Sequence, residues 1–125
     1  MSSSTIISLL ISILTAATAQ IILKKGASTL SDLKFSLSGI FDLILSIFQN
    51  KWLLVGMTLF VISFCFYVFV LSKIQLNFAY PVMVSVGMIF VLIGSWVFLG
   101  EKLSLGNIIG VALIILGIFL LIPKA

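Results

Sequence analysis

The fold of this chain is decided by Ala79–Pro123: A79-YPVMVSVGMIFVLIGSWVFLGEKLSLGNIIGVALIILGIFLLI-P123. Two long apolar runs meet at Gly100-Glu101-Lys102, and glycines recur seven residues apart in each, at Gly87 and Gly94 and at Gly110 and Gly117. So much continuous apolar surface cannot be hidden in a water-soluble domain of this size. The stretch reads as a hairpin of two membrane-spanning helices.

Composition agrees. Of 125 residues, 62% are hydrophobic and 8% charged, far from the roughly one-quarter charged residues of an ordinary globular domain. A bilayer core of about 30 Å takes about 20 helical residues, so the chain has room for four spans. The expected architecture is an all-α integral membrane protein, a single domain over 1–125, with spans at about 5–24, 52–72, 79–99 and 105–122.

The first run, from Thr5 to Leu23, has a signal peptide as its rival reading, because Ala17-Thr18-Ala19 mimics a cleavage site. Against that, no lysine precedes the run and apolar residues continue through Ile21, Ile22 and Leu23. Between the first two spans, Leu33, Leu37, Ile40, Ile44 and Ile47 fall at helical spacing, with Lys34, Ser38, Asp42 and Gln49 on the other side. This predicts an amphipathic helix at about 32–49, lying in the headgroup plane or packed as a re-entrant piece. Trp52 stands where an interfacial aromatic belongs. Lys73–Phe78 reads as a short loop, and Pro81 as an early-turn proline of the third span.

The net charge of +4 comes from seven lysines against three acids, without arginine or histidine. The lysines sit at the ends of apolar runs, which is a topology signal and not a nucleic-acid footprint. Lys24, Lys25, Lys34, Lys51 and Lys102 fall on one side against Lys73 and Lys124 on the other, placing the 24–51 loop in the cytoplasm. Cys65 is alone in an apolar run, which predicts packing and no disulfide. Without histidine or paired carboxylates, neither an enzyme nor a metal or cofactor site is expected. No span core carries an ionisable residue, the usual mark of a proton pathway.

Polar groups that can line a cavity, or simply bond another helix, are Gln20, Ser63, Tyr67, Tyr80 and Ser85. Lys24 and Lys25 at a helix end can attract a phosphate headgroup or merely orient the span. Gly87, Gly94, Gly106, Gly110 and Gly117 allow close helix approach, either inside the bundle or at a dimer seam. The aromatic stripe Phe60, Phe64, Phe66, Tyr67 and Phe69 reads as lipid-facing or core packing.

Ser63-Phe-Cys-Phe-Tyr67, Leu76-Asn-Phe-Ala-Tyr80-Pro81, Gly87, Trp96, Leu99-Gly100-Glu101-Lys102-Leu103-Ser104, Ile109-Gly110 and Leu116-Gly117-Ile118 together resemble the drug/metabolite transporter superfamily, in particular its four-span, EamA-like and small-multidrug-resistance members. Gln20-Ile-Ile-Leu-Lys24-Lys25-Gly-Ala27 extends the likeness into the first span. Two elements of the multidrug exporters are missing: Ala16 stands where they carry a glutamate, and Met83 where they carry a tryptophan. The inserted amphipathic segment is more similar to the small subunits that flip aminoarabinose-linked undecaprenyl phosphate. The resemblance implies a multi-pass transporter of the cytoplasmic membrane, acting on a lipid or lipid-linked substrate, in a homo- or heterodimer with another four-span subunit. It implies Lys24 or Lys25 near the lipid phosphate and Gln20 near the cavity; together with the polar candidates Tyr67, Tyr80 and Ser85, these are the expected substrate contacts. An exporter of small cations and a non-transporting scaffold are the alternatives.

Overall fold

The computed structural model describes residues 2–30 and 36–122, and its elements follow in the order α1 Ser3–Ala27, α2 Leu37–Gln49, α3 Lys51–Leu71, α4 Leu76–Phe98 and α5 Leu105–Leu121. Leu33 and Lys34, assigned above to the amphipathic helix, and Pro123 and Lys124 lie outside the described residues. The protein is an all-α membrane protein. Helices α1, α3 and α4 are long and apolar enough to cross a bilayer. Helix α5 has 17 residues, the short end of the spanning range.

Polar side chains set the helix starts. Ser2, Ser36, Asn50 and Ser104 accept hydrogen bonds from the backbone N–H groups of Thr5, Gly39, Trp52 and Asn107, satisfying donors the first turn would leave open. Helix α4 stops at Gly100, whose φ of +70° is a conformation glycine adopts without strain. The turn is closed by the Leu99 and Glu101 N–H groups, which both donate to the Ser95 carbonyl, at 3.1 and 3.2 Å.

Helix α4 begins at Leu76, earlier than the loop expected over Lys73–Phe78 allows. Pro81 is therefore inside the helix and not in its first turn. It removes the N–H that would bond the Asn77 carbonyl one turn back.

Helix α1 lies along α3 and also packs on α4, whereas α5 touches α4 alone. The α1–α3 seam is built on close backbone approach. A Cβ placed on Gly26 would come 2.9 Å from the Leu53 side chain, and one on Gly56 would come 2.7 Å from Leu23. Midway, Ser12 and Ser63 form a reciprocal lock. The Ser12 hydroxyl donates to the Ser63 carbonyl at 3.0 Å, and the Ser63 hydroxyl donates to the Ser12 carbonyl at 2.8 Å. Both serines are buried, so Ser63 belongs to a helix seam and not to a cavity wall. Leaving one such group unpaired in an apolar seam costs about 1 kcal/mol. Ser63→Ala is expected to lower the melting temperature in detergent by a few degrees without altering ligand binding.

The core proper is small: Leu9, Ile13, Tyr67, Val70 and Ala79. Large apolar residues elsewhere face outward, including Ile7, Leu54, Val97 and Leu120. A surface of that kind requires hydrocarbon around it. Helix α2 rests on α3, burying only Gly39, with Leu37, Phe41, Ile44 and Phe48 exposed along one stripe and Ser38, Asp42 and Gln49 on another. That is the amphipathic arrangement of an interfacial helix.

Candidate functional site

Where α1, α3, α4 and α5 come closest to one another they do not close. Between them lies a cavity of about 830 Å³. Ala16, Ala17 and Gln20 line it from α1, and Phe60, Phe64 and Tyr67 from α3; α4 contributes Tyr80, Met83, Val84, Gly87, Met88, Val91 and Leu92, and α5 contributes Asn107, Gly110, Val111 and Ile114. Because α5 packs on α4 alone, the wall between α3 and α5 is open.

The lining is apolar apart from Gln20, Tyr67, Tyr80 and Asn107, one residue from each helix, and includes no Asp, Glu, Lys or Arg among the described residues. Tyr67 is 8% exposed, and its hydroxyl has no hydrogen-bond partner, the only such buried side-chain atom among the described residues. Burying a hydroxyl unpaired costs on the order of 1–3 kcal/mol, a cost that a ligand or water reaching this group would offset. Tyr67→Phe is expected to melt at the same temperature or slightly higher, because the unpaired hydroxyl is gone, while ligand affinity falls about fivefold. Thermal unfolding and binding measured on one preparation separate the two effects.

Gln20, Tyr67 and Tyr80 thus line one cavity. Ser85 is half-buried on α4 outside the lining. Lys24 and Lys25 extend from the last turn of α1, beyond the lining. The Lys25 ammonium lies 4.4 Å from the centre of the Trp52 ring and that of Lys51 5.5 Å from it. Beside them the Asn50 amide donates to the Thr29 hydroxyl at 3.1 Å, tying the end of α1 to the start of α3.

The glycines divide. Gly94 is buried against Ile21 of α1, whose Cδ1 a Cβ there would have to displace. Gly87 and Gly110 face the cavity, and a Cβ on either, or on Gly117, would meet open space; one on Gly106 would meet only the Ser104 hydroxyl at 3.6 Å. Sequence reasoning missed Phe60 and Phe64, read as ordinary packing, although their spacing with Tyr67 puts all three on one helical face. It also missed Asn107, hidden inside the Gly106–Gly110 motif, and the seam glycines Gly26 and Gly56, which belong to no repeat.

Residues 40–114 match the sequence profile described as Small Multidrug Resistance protein. The chain belongs to that family. Ala16 and Met83, singled out above as departures from the multidrug exporters, both line the cavity. Two curated relatives carry the name "Probable 4-amino-4-deoxy-L-arabinose-phosphoundecaprenol flippase subunit ArnE". The one from Aeromonas hydrophila is 33% identical over 73 residues, covering 58% of this chain and 63% of the relative. The one from Aeromonas salmonicida is 34% identical over 72 residues, covering 58% and 62%. The chain thus spans somewhat less than two thirds of these relatives. No solved structure matches it.

Proposed function

We propose that this protein is a subunit of a dimeric transporter that flips a polyprenyl-phosphate-linked sugar, or a similar amphiphile, across the cytoplasmic membrane. The observation that carries this reading is the cavity: about 830 Å³, open on one side, apolar in its walls and set with neutral hydrogen-bonding groups. A sugar offers hydroxyls to Gln20, Tyr67, Tyr80 and Asn107, while its hydrocarbon tail stays outside in the lipid through the gap between α3 and α5. A lysine in the last turn of α1, Lys24 or Lys25, supplies positive charge for the phosphate. Among the described residues no carboxylate lines the cavity, which weighs against export of small cations. The flippase-subunit relatives support the same direction.

One open wall is the reason for a second subunit. Gly106, Gly110 and Gly117 leave close approach to α5 available to a neighbouring helix, and the positive-inside bias puts the loop between α1 and α3 in the cytoplasm.

The test is flipping in proteoliposomes, with the protein alone and paired with candidate four-span partners. The probes are undecaprenyl-phosphoryl glucose and 4-amino-4-deoxy-L-arabinose-phosphoundecaprenol. Flipping of either above protein-free vesicles is expected. Movement of tetraphenylphosphonium with neither lipid flipped overturns the reading in favour of cation export, and movement of none of the three under any pairing overturns it in favour of a scaffold.

A further inference from the structure

Lys24 and Lys25 are adjacent in sequence, yet the helix sends them about 100° apart around α1. We infer that Lys24 alone is the cation at the mouth of the cavity, binding the phosphate of a membrane amphiphile, and that Lys25 is a positioning residue docked on Trp52. This assignment rests on the function proposed above and divides a role that the sequence left to either lysine.

The argument is one of azimuth. Successive residues turn about 100° around a helix axis. Ala16, Gln20 and Ala17 line the cavity, and taking Ala16 as the origin they fall at about 0°, 40° and 100°. Lys24 falls at about 80°, inside that arc. It stands one turn, about 6 Å, beyond Gln20 toward the end of α1. Lys25 falls at about 180°, outside the arc.

The neighbours of α1 confirm how it is turned. Leu23 and Gly26 meet α3 through Gly56 and Leu53, and Ile21 meets α4 through Gly94. Leu23 and Gly26 lie at about 340° and 280°, and Ile21 at about 140°. The cavity arc lies between the two contacts on one side, and Lys25 lies between them on the other. From there its stem wraps to the Trp52 ring, 4.4 Å from its ammonium. A cation stacked on an aromatic face is already partly satisfied.

The two lysines therefore do different work. A long stem lets the Lys24 ammonium stay at the membrane surface while its methylenes follow the cavity wall. A phosphodiester held there places the attached sugar about one turn deeper, at Gln20, and needs no charge inside the hydrocarbon. Phosphate outside and sugar inside is the partition that a charged mouth and a neutral cavity impose.

The experiment measures binding to the full chain in phosphatidylcholine nanodiscs. The probes are undecaprenyl-phosphoryl glucose, a phosphate-free undecaprenyl glucoside and, as a competitor, water-soluble glucose 1-phosphate. For the phosphate lipid, Lys24→Gln is expected to weaken binding about fivefold, as the loss of one near-surface lysine implies; Lys24→Arg is expected to restore it. The glucoside should bind Lys24→Gln and wild type equally. Lys25→Gln should leave both affinities within about twofold and lower the melting temperature instead. Competition by glucose 1-phosphate that matches the lipid at equal concentration would show a soluble ligand as the source of the phosphate and overturn the lipid assignment. Equal losses at both lysines, a loss only at Lys25, or no loss at Lys24 would overturn the division of roles while leaving the flippase reading standing. Failure of the wild type to bind the phosphate lipid would overturn both.

Discussion

Replacing Ala16 by glutamate is expected to cut flipping of undecaprenyl-phosphoryl glucose about tenfold at neutral or higher pH. Ala16 is half-buried on the cavity wall, two turns of α1 below Lys24. A separation of eight residues is about 12 Å along the axis. At an effective dielectric near 20, repulsion between a carboxylate and a phosphate at that distance is about 1.4 kcal/mol, or a factor of about ten. A carboxyl repels the phosphate only when ionised, which sets the sign of the pH dependence. Flipping by Ala16→Glu should therefore approach wild type at low pH and fall as the carboxyl ionises. The same variant should gain affinity for tetraphenylphosphonium. Unchanged flipping across the pH range would mean that the headgroup does not pass Ala16.

The second large effect concerns the α1–α3 seam. Gly56→Val puts a branched side chain where even a Cβ would come 2.7 Å from the Leu23 side chain and 3.3 Å from its backbone nitrogen. A flexible tip can move aside, but backbone cannot, so α1 and α3 must part. Parting also breaks the reciprocal serine bonds between Ser12 and Ser63. The expected cost is about 3 kcal/mol, read as loss of a monodisperse species in detergent or a sharp fall in melting temperature. Gly110→Val is the contrast, since a Cβ there meets open space. It should leave the subunit folded and act on the cavity and on association with a second subunit. If both variants melt alike, the seam is not where α1 is held.

These expectations use two kinds of information, and the sequence held only one of them in plain form. Apolar length and charge placement are local, so the spans, the amphipathic character of α2 through Leu37, Ile40, Ile44 and Ile47, and the turn at Gly100 were legible. Gln20, Tyr67 and Tyr80 could be nominated because a polar group in an apolar run needs a reason. What periodicity could not supply is which face of each helix meets which neighbour. Phe60 and Phe64 have the same composition signal whether they face lipid or a cavity. Ser63 was indistinguishable from Ser85 until Ser12 was found opposite it, 51 residues away. Pro81 was misplaced because Leu76–Phe78 carries no strong helix signal of its own, and the helix forms there under an uncapped Gln75.

That α5 touches α4 alone while α1 is clasped by α3 has a consequence for how the chain is made. As it leaves the ribosome, α1 must wait in the bilayer through the synthesis of α2 before its partner arrives. The serine lock and the Gly26–Leu53 and Gly56–Leu23 contacts then join two consecutive spans across the intervening interfacial helix. Helix α5 enters after them and packs on α4 alone. It takes no part in the α1–α3 clasp, and its remaining faces are left to lipid or to another helix.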